Sequence, residues 1–142
     1  MRERSWLHGA LAAVVLLGAC GGGGSDAGDG PQQGTDFVFQ SSDWPSSERF
    51  VVRVADAHMR EMARAEFALP LAERRLFPNG QLHAGDGGHN ARWSWHLRDV
   101  RLGAVAIEVC DGRPSMVEAD LSYWFGRVGR FCPWSARVVA EL

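Results

Sequence analysis

Histidine and carboxylate side chains are the groups in this sequence whose types could perform acid–base chemistry. His96 lies in the alternating stretch 93–97, and Glu108 lies in a second apolar stretch, 100–110. If these two strands form a hairpin, His96 and Glu108 come close together on the open face of the sheet. Such a pair could act as a general base, with Asp111 nearby, or could be a structural hydrogen bond. We favour the structural pair and retain a small hydrolase-like enzyme using His96 and Glu108 as an alternative.

A glycine-rich loop, 84–90, offers a second set of candidate groups. His83 and His89 stand on either side of Asp86, and imidazole with carboxylate suits several divalent metals. The spacing matches no established metal motif, so we expect an ordinary polar loop and no cofactor. Metal binding by His83, Asp86 and His89 is a second alternative. The loop lacks the Gly-Lys-Ser/Thr ending of a phosphate-binding loop, and the chain has no Gly-x-Ser-x-Gly nucleophile motif.

Residues 1–19 have the organisation of an export signal. Arginines precede the apolar stretch 9–19, which is too short to cross a hydrocarbon core of about 30 Å. The sequence Leu-Leu-Gly-Ala-Cys, which ends at Cys20, resembles the lipobox of bacterial lipoproteins. That resemblance implies cleavage before Cys20 and acylation of its sulfur, which would anchor the protein in a lipid bilayer. An ordinary signal peptide cut nearby is the alternative interpretation.

The composition of the chain after this signal predicts a tether followed by one domain. Residues 20–34 are rich in glycine and contain no group that could join a core, so we expect a flexible tether with a reach of about 20 Å. Residues 35–142 are then a single globular domain.

The net charge of -2 and the absence of any arginine cluster exclude a nucleic-acid partner. The expected location is the bacterial cell envelope, with the domain on the extracytoplasmic side.

Two cysteines remain once Cys20 is lipidated, and two cysteines form one bridge. An exported location permits oxidation. A redox motif would need Cys-x-x-Cys, and a zinc site would need two further ligands. We therefore predict a Cys110–Cys132 disulfide that ties the end of a core strand to the start of the last strand.

Strands outnumber helices in the predicted domain. The predicted strands are 37–39, 49–54, 74–83, 93–97, 100–110 and 136–141, the third interrupted by a turn at 78–80. One helix follows the cap Asp56, and a second begins at a Ser115/Glu118 capping box. We expect an α+β fold: a mostly antiparallel sheet with two helices packed on one face and one disulfide.

The positions of the tryptophans predict which of them pack in the core and which could lie on a binding surface. Trp93 and Trp95 share one face of the alternating strand, so we expect both in the core. Trp44, Trp124 and Trp134 are the candidates for an exposed aromatic patch, which would mark a contact site for a partner.

These motifs together resemble the N-terminal domain family of a slime-mould calmodulin-binding protein, a domain also found in small bacterial secreted proteins. The matching pieces are Asn90-x-x-Trp93-Ser94-Trp95-His96-Leu97, Ala106-Ile107-Glu108-Val109-Cys110-Asp111, Val117-Glu118 and Cys132-Pro133-Trp134-Ser135-x-Arg137. The resemblance covers most of residues 36–142 and implies no catalytic residues. It implies calmodulin binding through one eukaryotic member only. A calmodulin target is a basic amphipathic helix, and the first helix here is balanced in charge, so we do not expect calmodulin binding.

The sequence as a whole favours a membrane-anchored lipoprotein whose small disulfide-bridged domain is a non-catalytic binding module. The expected partner, besides the bilayer reached through Cys20, is an unknown protein or another envelope component. An enzyme is the less favoured class, because no catalytic motif is present.

Overall fold

The computed structural model describes residues 33–142. The predicted signal 1–19, the lipidation site Cys20 and nearly all of the tether lie outside those residues and stay predictions. Within the described range, no helix has the length and apolar character needed to span a membrane.

The described chain contains six strands and three α-helices. The strands are β1 (Thr35–Gln40), β2 (Phe50–Val54), β3 (Phe77–Ala84), β4 (Trp95–Gly103), β5 (Arg130–Phe131) and β6 (Arg137–Glu141). The helices are α1 (Ala57–Ala68), α2 (Pro114–Ala119) and α3 (Leu121–Tyr123), and α3 continues into a π-helical turn, Trp124–Val128. Short 3-10 turns occupy Ser46–Glu48, Leu71–Glu73 and Glu108–Cys110.

The strands form two three-stranded sheets, ordered β2-β1-β6 and β4-β3-β5. Every pairing in both sheets is antiparallel. The predicted α+β class, the antiparallel pairing and the disulfide are confirmed, and the strands divide between two sheets. Helix α1 contacts β2, β4 and β6, so it packs against members of both sheets.

The core lies where aromatic side chains from both sheets meet. The ring of Phe50 on β2 lies 5.9 Å from that of Trp95 on β4 and 5.6 Å from that of Phe131 on β5, measured between centroids. All three side chains are buried, each stabilising the fold by roughly 1.5–3 kcal/mol. Sequence alternation explains the arrangement, because a strand presents every second residue to the core.

Asn90 ties the two sheets together through its buried amide. Its Oδ1 accepts the N–H of Val51 on β2 at 2.8 Å, and its Nδ2 donates to the carbonyl of Trp95 on β4 at 2.8 Å. The side chain is 1% exposed. A buried amide with both ends hydrogen-bonded fixes the position of one sheet relative to the other.

Helix α1 begins as predicted. Asp56 Oδ1 accepts the backbone N–H of Met59 at 2.9 Å, which is the N-cap bond that the sequence indicates. Met59 and Ala63 are buried on the side of the helix that faces the sheets.

The predicted turn at 78–80 is wrong, because these residues continue β3. Pro78 and Asn79 pair with Leu102 and Arg101 of β4, and the register shifts between Asn79 and Gln81. An extra residue on β4 makes the irregularity, and Asp99 adopts a positive φ of 50° beside it. Gly80 suits this point, since a Cβ there would lie 3.0 Å from the Arg98 carbonyl oxygen and would press on the neighbouring backbone.

The two predicted strands 93–97 and 100–110 are also wrong, because β4 is one strand that ends at Gly103. Its ladder with β3 ends at the pair Phe77–Gly103. Just before β3, the carboxylate of Glu66 accepts the N–H groups of Arg75 and Leu76 at 2.7 and 3.0 Å. Those two donors are therefore occupied, and the chain beyond Gly103 does not pair with β3.

The predicted Ser115/Glu118 capping box is wrong as well. The buried carboxylate of Glu48 accepts the Ser115 N–H at 2.9 Å and so performs the capping from a distant part of the chain. Glu118 instead accepts two hydrogen bonds from Ser94, from its N–H at 2.9 Å and its hydroxyl at 2.7 Å. The π-helical turn ends at Gly129, whose φ of 73° suits glycine.

The Cys110–Cys132 disulfide is confirmed, with Cα atoms 5.1 Å apart. Its setting differs from the prediction, since Cys110 ends a 3-10 turn and Cys132 follows the short strand β5. The Cys132 N–H also donates to the Cys110 carbonyl at 2.8 Å, and both cysteines pack on Phe77. The bridge therefore fastens the segment after β4 to the end of the β3–β4 ladder.

Candidate binding groove

His96 and Glu108 are not brought together. The hairpin that would have joined them does not exist, because His96 lies near the start of β4 and Glu108 lies in the 3-10 turn beyond its end. The turn packs with Cys110 against Phe77, whereas His96 pairs with His83 at the other end of the ladder. Those ends are about 20 Å apart at the rise of a strand, so the acid–base alternative loses its geometric basis.

His96 instead belongs to a cluster of three histidines beneath the glycine-rich loop. Its ring centroid lies 5.7 Å from that of His83 and 5.6 Å from that of His89. Nδ1 of His96 and Nδ1 of His89 lie 2.8 and 2.9 Å from the carbonyl oxygens of Gly85 and Gly87. A carbonyl only accepts, so both Nδ1 atoms carry the proton. The loop is therefore closed onto the rings by its own backbone.

Gly87 allows this close approach. Its φ is 62°, and a Cβ there would lie 2.6 Å from the His96 ring and 2.7 Å from the His89 ring. Burial lowers the pKa of His89, opposed by its hydrogen bond to Gly87, and the buried Nε2 of His89 has no hydrogen-bond partner within the described residues. The neutral imidazole is thus the form that the fold favours.

Asp86, the third predicted metal candidate, serves the loop itself. Its carboxylate accepts the Gly88 N–H at 2.9 Å. Among residues 33–142, no three histidine, cysteine or acidic side chains are placed to hold one metal ion. Asp86 and His89 thus make hydrogen bonds within the loop, and His83 lies on β3 opposite His96.

The three candidate binding tryptophans differ in exposure. Trp44 and Trp124 are 8% and 4% exposed, so their prediction as surface binding residues is wrong. Both indoles join the main core. Trp134 is 38% exposed and stays available to a partner. Its backbone N–H donates to the Asp111 carboxylate at 2.8 Å, so Asp111 has a structural role in holding Trp134.

Trp93 and Trp95 largely follow the expectation. Trp95 is fully buried, and the half-exposed Trp93 stacks on it with ring centroids 6.1 Å apart. The Trp93 indole N–H donates to the Arg49 carbonyl at 2.8 Å. Neither indole therefore offers a free contact surface comparable with that of Trp134.

Trp134 lies on a groove that opens where the chain diverges from β3. We name it the Trp134 groove; its volume is about 280 Å³ and its lining consists of Arg75, Phe77, Ala104, Val105, Ala106, Trp134 and Arg137. Phe77 and Trp134 supply aromatic surface, and the two arginines supply positive charge. A concave apolar surface with a few polar groups is the common form of a binding site.

Exposed apolar side chains begin at the groove, where Val105 is part of the lining, and continue along the chain beyond it. Val105, Ile107 and Val109 are 89%, 67% and 55% exposed. Their alternation is the pattern that predicted a strand, but all three point away from the core. Large aliphatic groups in a row on a surface mark a contact site more often than isolated ones do.

The cationic side chains of the groove are held by backbone oxygens. Nη1 of Arg137 donates to the carbonyls of Trp134 and Ala136 at 2.6 and 2.8 Å, and its Nε donates to Arg74 at 2.9 Å. Arg75 Nη1 donates to the Ala72 carbonyl at 2.9 Å. Burial lowers the pKa of Arg137, Glu66 opposes this, and the nearby Arg75 charge lowers it further. An anion placed between the two guanidinium groups would relieve that repulsion.

A second cavity of about 460 Å³ shares Arg75 and Arg137 with the Trp134 groove. Its other lining residues are Ser41, Ser42, Asp43, Leu71, Ala72, Arg74 and Ser135. The arginine pair therefore lines both cavities. An elongated ligand could occupy both.

Comparison with known proteins assigns the domain to a family. Residues 34–142 match a family model, the BP-74 N-terminal domain. No curated protein and no solved structure matches the chain. The match spans most of the chain and all but the first of the described residues, so this protein belongs to the BP-74 N-terminal domain family.

Proposed function

We propose that this protein is a lipid-anchored binding module of the bacterial cell envelope whose contact surface is the Trp134 groove. Cys20 would hold it in the bilayer, and the glycine-rich tether would let the domain reach partners near the membrane. The single observation that carries the binding role is a juxtaposition on one surface. Trp134 and the exposed Val105 lie in one groove with two arginine side chains that donate to carbonyl oxygens, and the exposed Ile107 and Val109 follow Val105 in the chain.

The shape of this surface supports binding rather than catalysis. Its lining residues are apolar, small or cationic, and none of them is a nucleophile or a titratable acid–base group. The disulfide and the Asp111–Trp134 hydrogen bond brace its walls. A braced surface loses little conformational freedom on binding, which favours affinity.

Affinity capture with the full chain tests the proposal. The protein is retrieved from envelope extracts of its own cells, as wild type and as Trp134→Ala. Tyr123→Ala is the matched control, because Tyr123 is an exposed aromatic residue, 47% accessible, outside the groove. We expect a defined partner that is lost with Trp134→Ala and kept with Tyr123→Ala. Equal recovery by all three proteins would overturn the groove as the contact surface.

A further inference from the structure

One wall of the Trp134 groove is the irregular segment 104–106, which follows β4 and which we call the open edge because its backbone has no strand partner among residues 33–142. The β3–β4 ladder ends at Gly103, and within the described chain the backbone groups of Ala104, Val105 and Ala106 form no backbone hydrogen bond. On the opposite wall, the N–H groups of Arg75 and Leu76 are already bonded to Glu66. The available edge therefore belongs to residues 104–106.

Backbone N–H and C=O groups without partners beside a groove can pair with an extended peptide that adds there as a strand. In that mode of recognition, main-chain hydrogen bonds supply affinity and pockets for alternate side chains supply specificity. The Trp134 groove offers such a pocket, lined by Phe77 and Trp134, directly beside the edge.

The charge of the groove indicates which side chains a ligand would carry. Guanidinium groups bind carboxylates through paired, charge-assisted hydrogen bonds. Arg75 is exposed, and Arg137 is half-buried with its orientation fixed by three carbonyl oxygens. An acidic side chain next to an apolar one matches this combination.

We propose that the Trp134 groove binds an extended peptide segment of a partner protein, which adds as a strand along residues 104–106 and places an acidic side chain against Arg75 and Arg137. This proposal rests on the binding role proposed above and names the ligand for that same surface. An anionic lipid headgroup would also suit the arginines, but it has no row of backbone donors and acceptors to pair with the open edge. A peptide therefore engages both the arginines and the unpaired backbone groups of residues 104–106, whereas a lipid headgroup engages the arginines alone.

Three blocked hexapeptides test the ligand chemistry against the full chain carrying Cys20→Ser, which removes the predicted acylation site. One alternates valine with glutamate, one alternates valine with lysine and one alternates serine with glutamate. We expect the valine–glutamate peptide to bind at least tenfold more tightly than the other two. Arg75→Gln should weaken that binding about tenfold, whereas Arg127→Gln, an exposed arginine outside the groove, should leave it unchanged.

Two proline variants test strand addition. Successive residues of a paired strand direct their N–H groups to opposite edges, so Val105→Pro and Ala106→Pro remove donors from different sides. One of the two should abolish binding of the valine–glutamate peptide, and the other should retain it. Val105→Ser and Ala106→Ser keep the backbone donors and separate this effect from loss of apolar contact.

Each outcome decides between the proposals. Strand addition of an acidic segment is overturned if the valine–glutamate peptide still binds both proline variants, or if Arg75→Gln does not weaken its binding. Failure of all three peptides, with binding instead to phosphatidylglycerol vesicles that Arg75→Gln abolishes, assigns the groove to lipid. If a captured partner depends on Trp134 while no peptide binds, the binding role stands and the peptide mode is wrong.

Discussion

His89 couples the stability of the fold to pH. Burial lowers its pKa below the ordinary value of 6.5, and the charges nearest to it are those of Arg53, Asp36 and His96. The unfolded chain then binds a proton more readily than the folded one, so stability is complete above about pH 6.5 and falls on acidification towards the lowered folded pKa. One such group changes the free energy of unfolding by at most about 1.4 kcal/mol per pH unit.

Denaturant unfolding between pH 7 and pH 5 measures this effect. The wild type should lose more stability over that interval than His89→Gln, because the variant has no proton to gain at this position. His58→Gln serves as the control, since His58 is exposed at the start of α1 and should follow the wild type. Parallel pH profiles for wild type and His89→Gln would show that burial of this imidazole does not govern the response.

Asn90 should be among the most sensitive positions in the domain. Asn90→Ala leaves the Val51 N–H and the Trp95 carbonyl without their buried partner, and each loss costs about 1–3 kcal/mol. We predict a decrease of about 3 kcal/mol in the free energy of unfolding, measured by urea titration. Gln81→Ala, at an exposed position of β3, should change stability by less than about 0.5 kcal/mol. A similar small loss for Asn90→Ala would contradict its bridging role.

Residue types alone predicted some of these roles and missed others. The disulfide could be predicted because two cysteines in an exported chain leave one pairing. The histidine cluster was missed in part, since only the β3–β4 register brings His83 opposite His96. The exposure of Trp134 and the burial of Trp44 and Trp124 depend on tertiary packing, which no local pattern encodes.

At the level of elements, the disulfide fixes the segment after β4. The two cysteines are separated by 22 residues, and closing a loop of that size stabilises the fold by about 3.4 kcal/mol in the chain-entropy description. Cys110→Ala combined with Cys132→Ala should lower the free energy of unfolding by about 3 kcal/mol. Reduction of the wild type should reproduce most of that loss, and no effect of either treatment would mean that the bridge is not structural.

Helix α1 and the strand pair β3–β4 show what sequence patterns can and cannot predict for elements. The start of α1 is encoded locally, because Asp56 caps it from within the same segment. Near the end of β4 the contacts come from distant parts of the chain, because the backbone donors of Arg75 and Leu76, just before the partner strand β3, are bonded to Glu66. Alternation at Val105, Ile107 and Val109 therefore suggested a buried strand where the structure has an exposed edge.

At the level of the whole molecule, the proposed anchor makes a separate prediction. Cys20→Ser removes the only sulfur available for acylation at the predicted cleavage site, so the protein should move from the membrane fraction to the soluble fraction. Immunoblots after ultracentrifugation, with Ser25→Ala as a control in the tether, measure the distribution. Retention of the Cys20→Ser protein in the membrane fraction, or an intact start without fatty acid in mass spectrometry, would contradict acylation.

If the Trp134 groove is the contact surface, partners should meet the domain there in the cell. Photo-crosslinking in intact cells tests it directly, with a benzophenone amino acid placed at position 134 or, as a control of similar exposure, at position 123. We expect a discrete crosslinked product from position 134 that is weakened by Arg75→Gln, and none from position 123. A product from position 123 alone, or none from position 134, would contradict it.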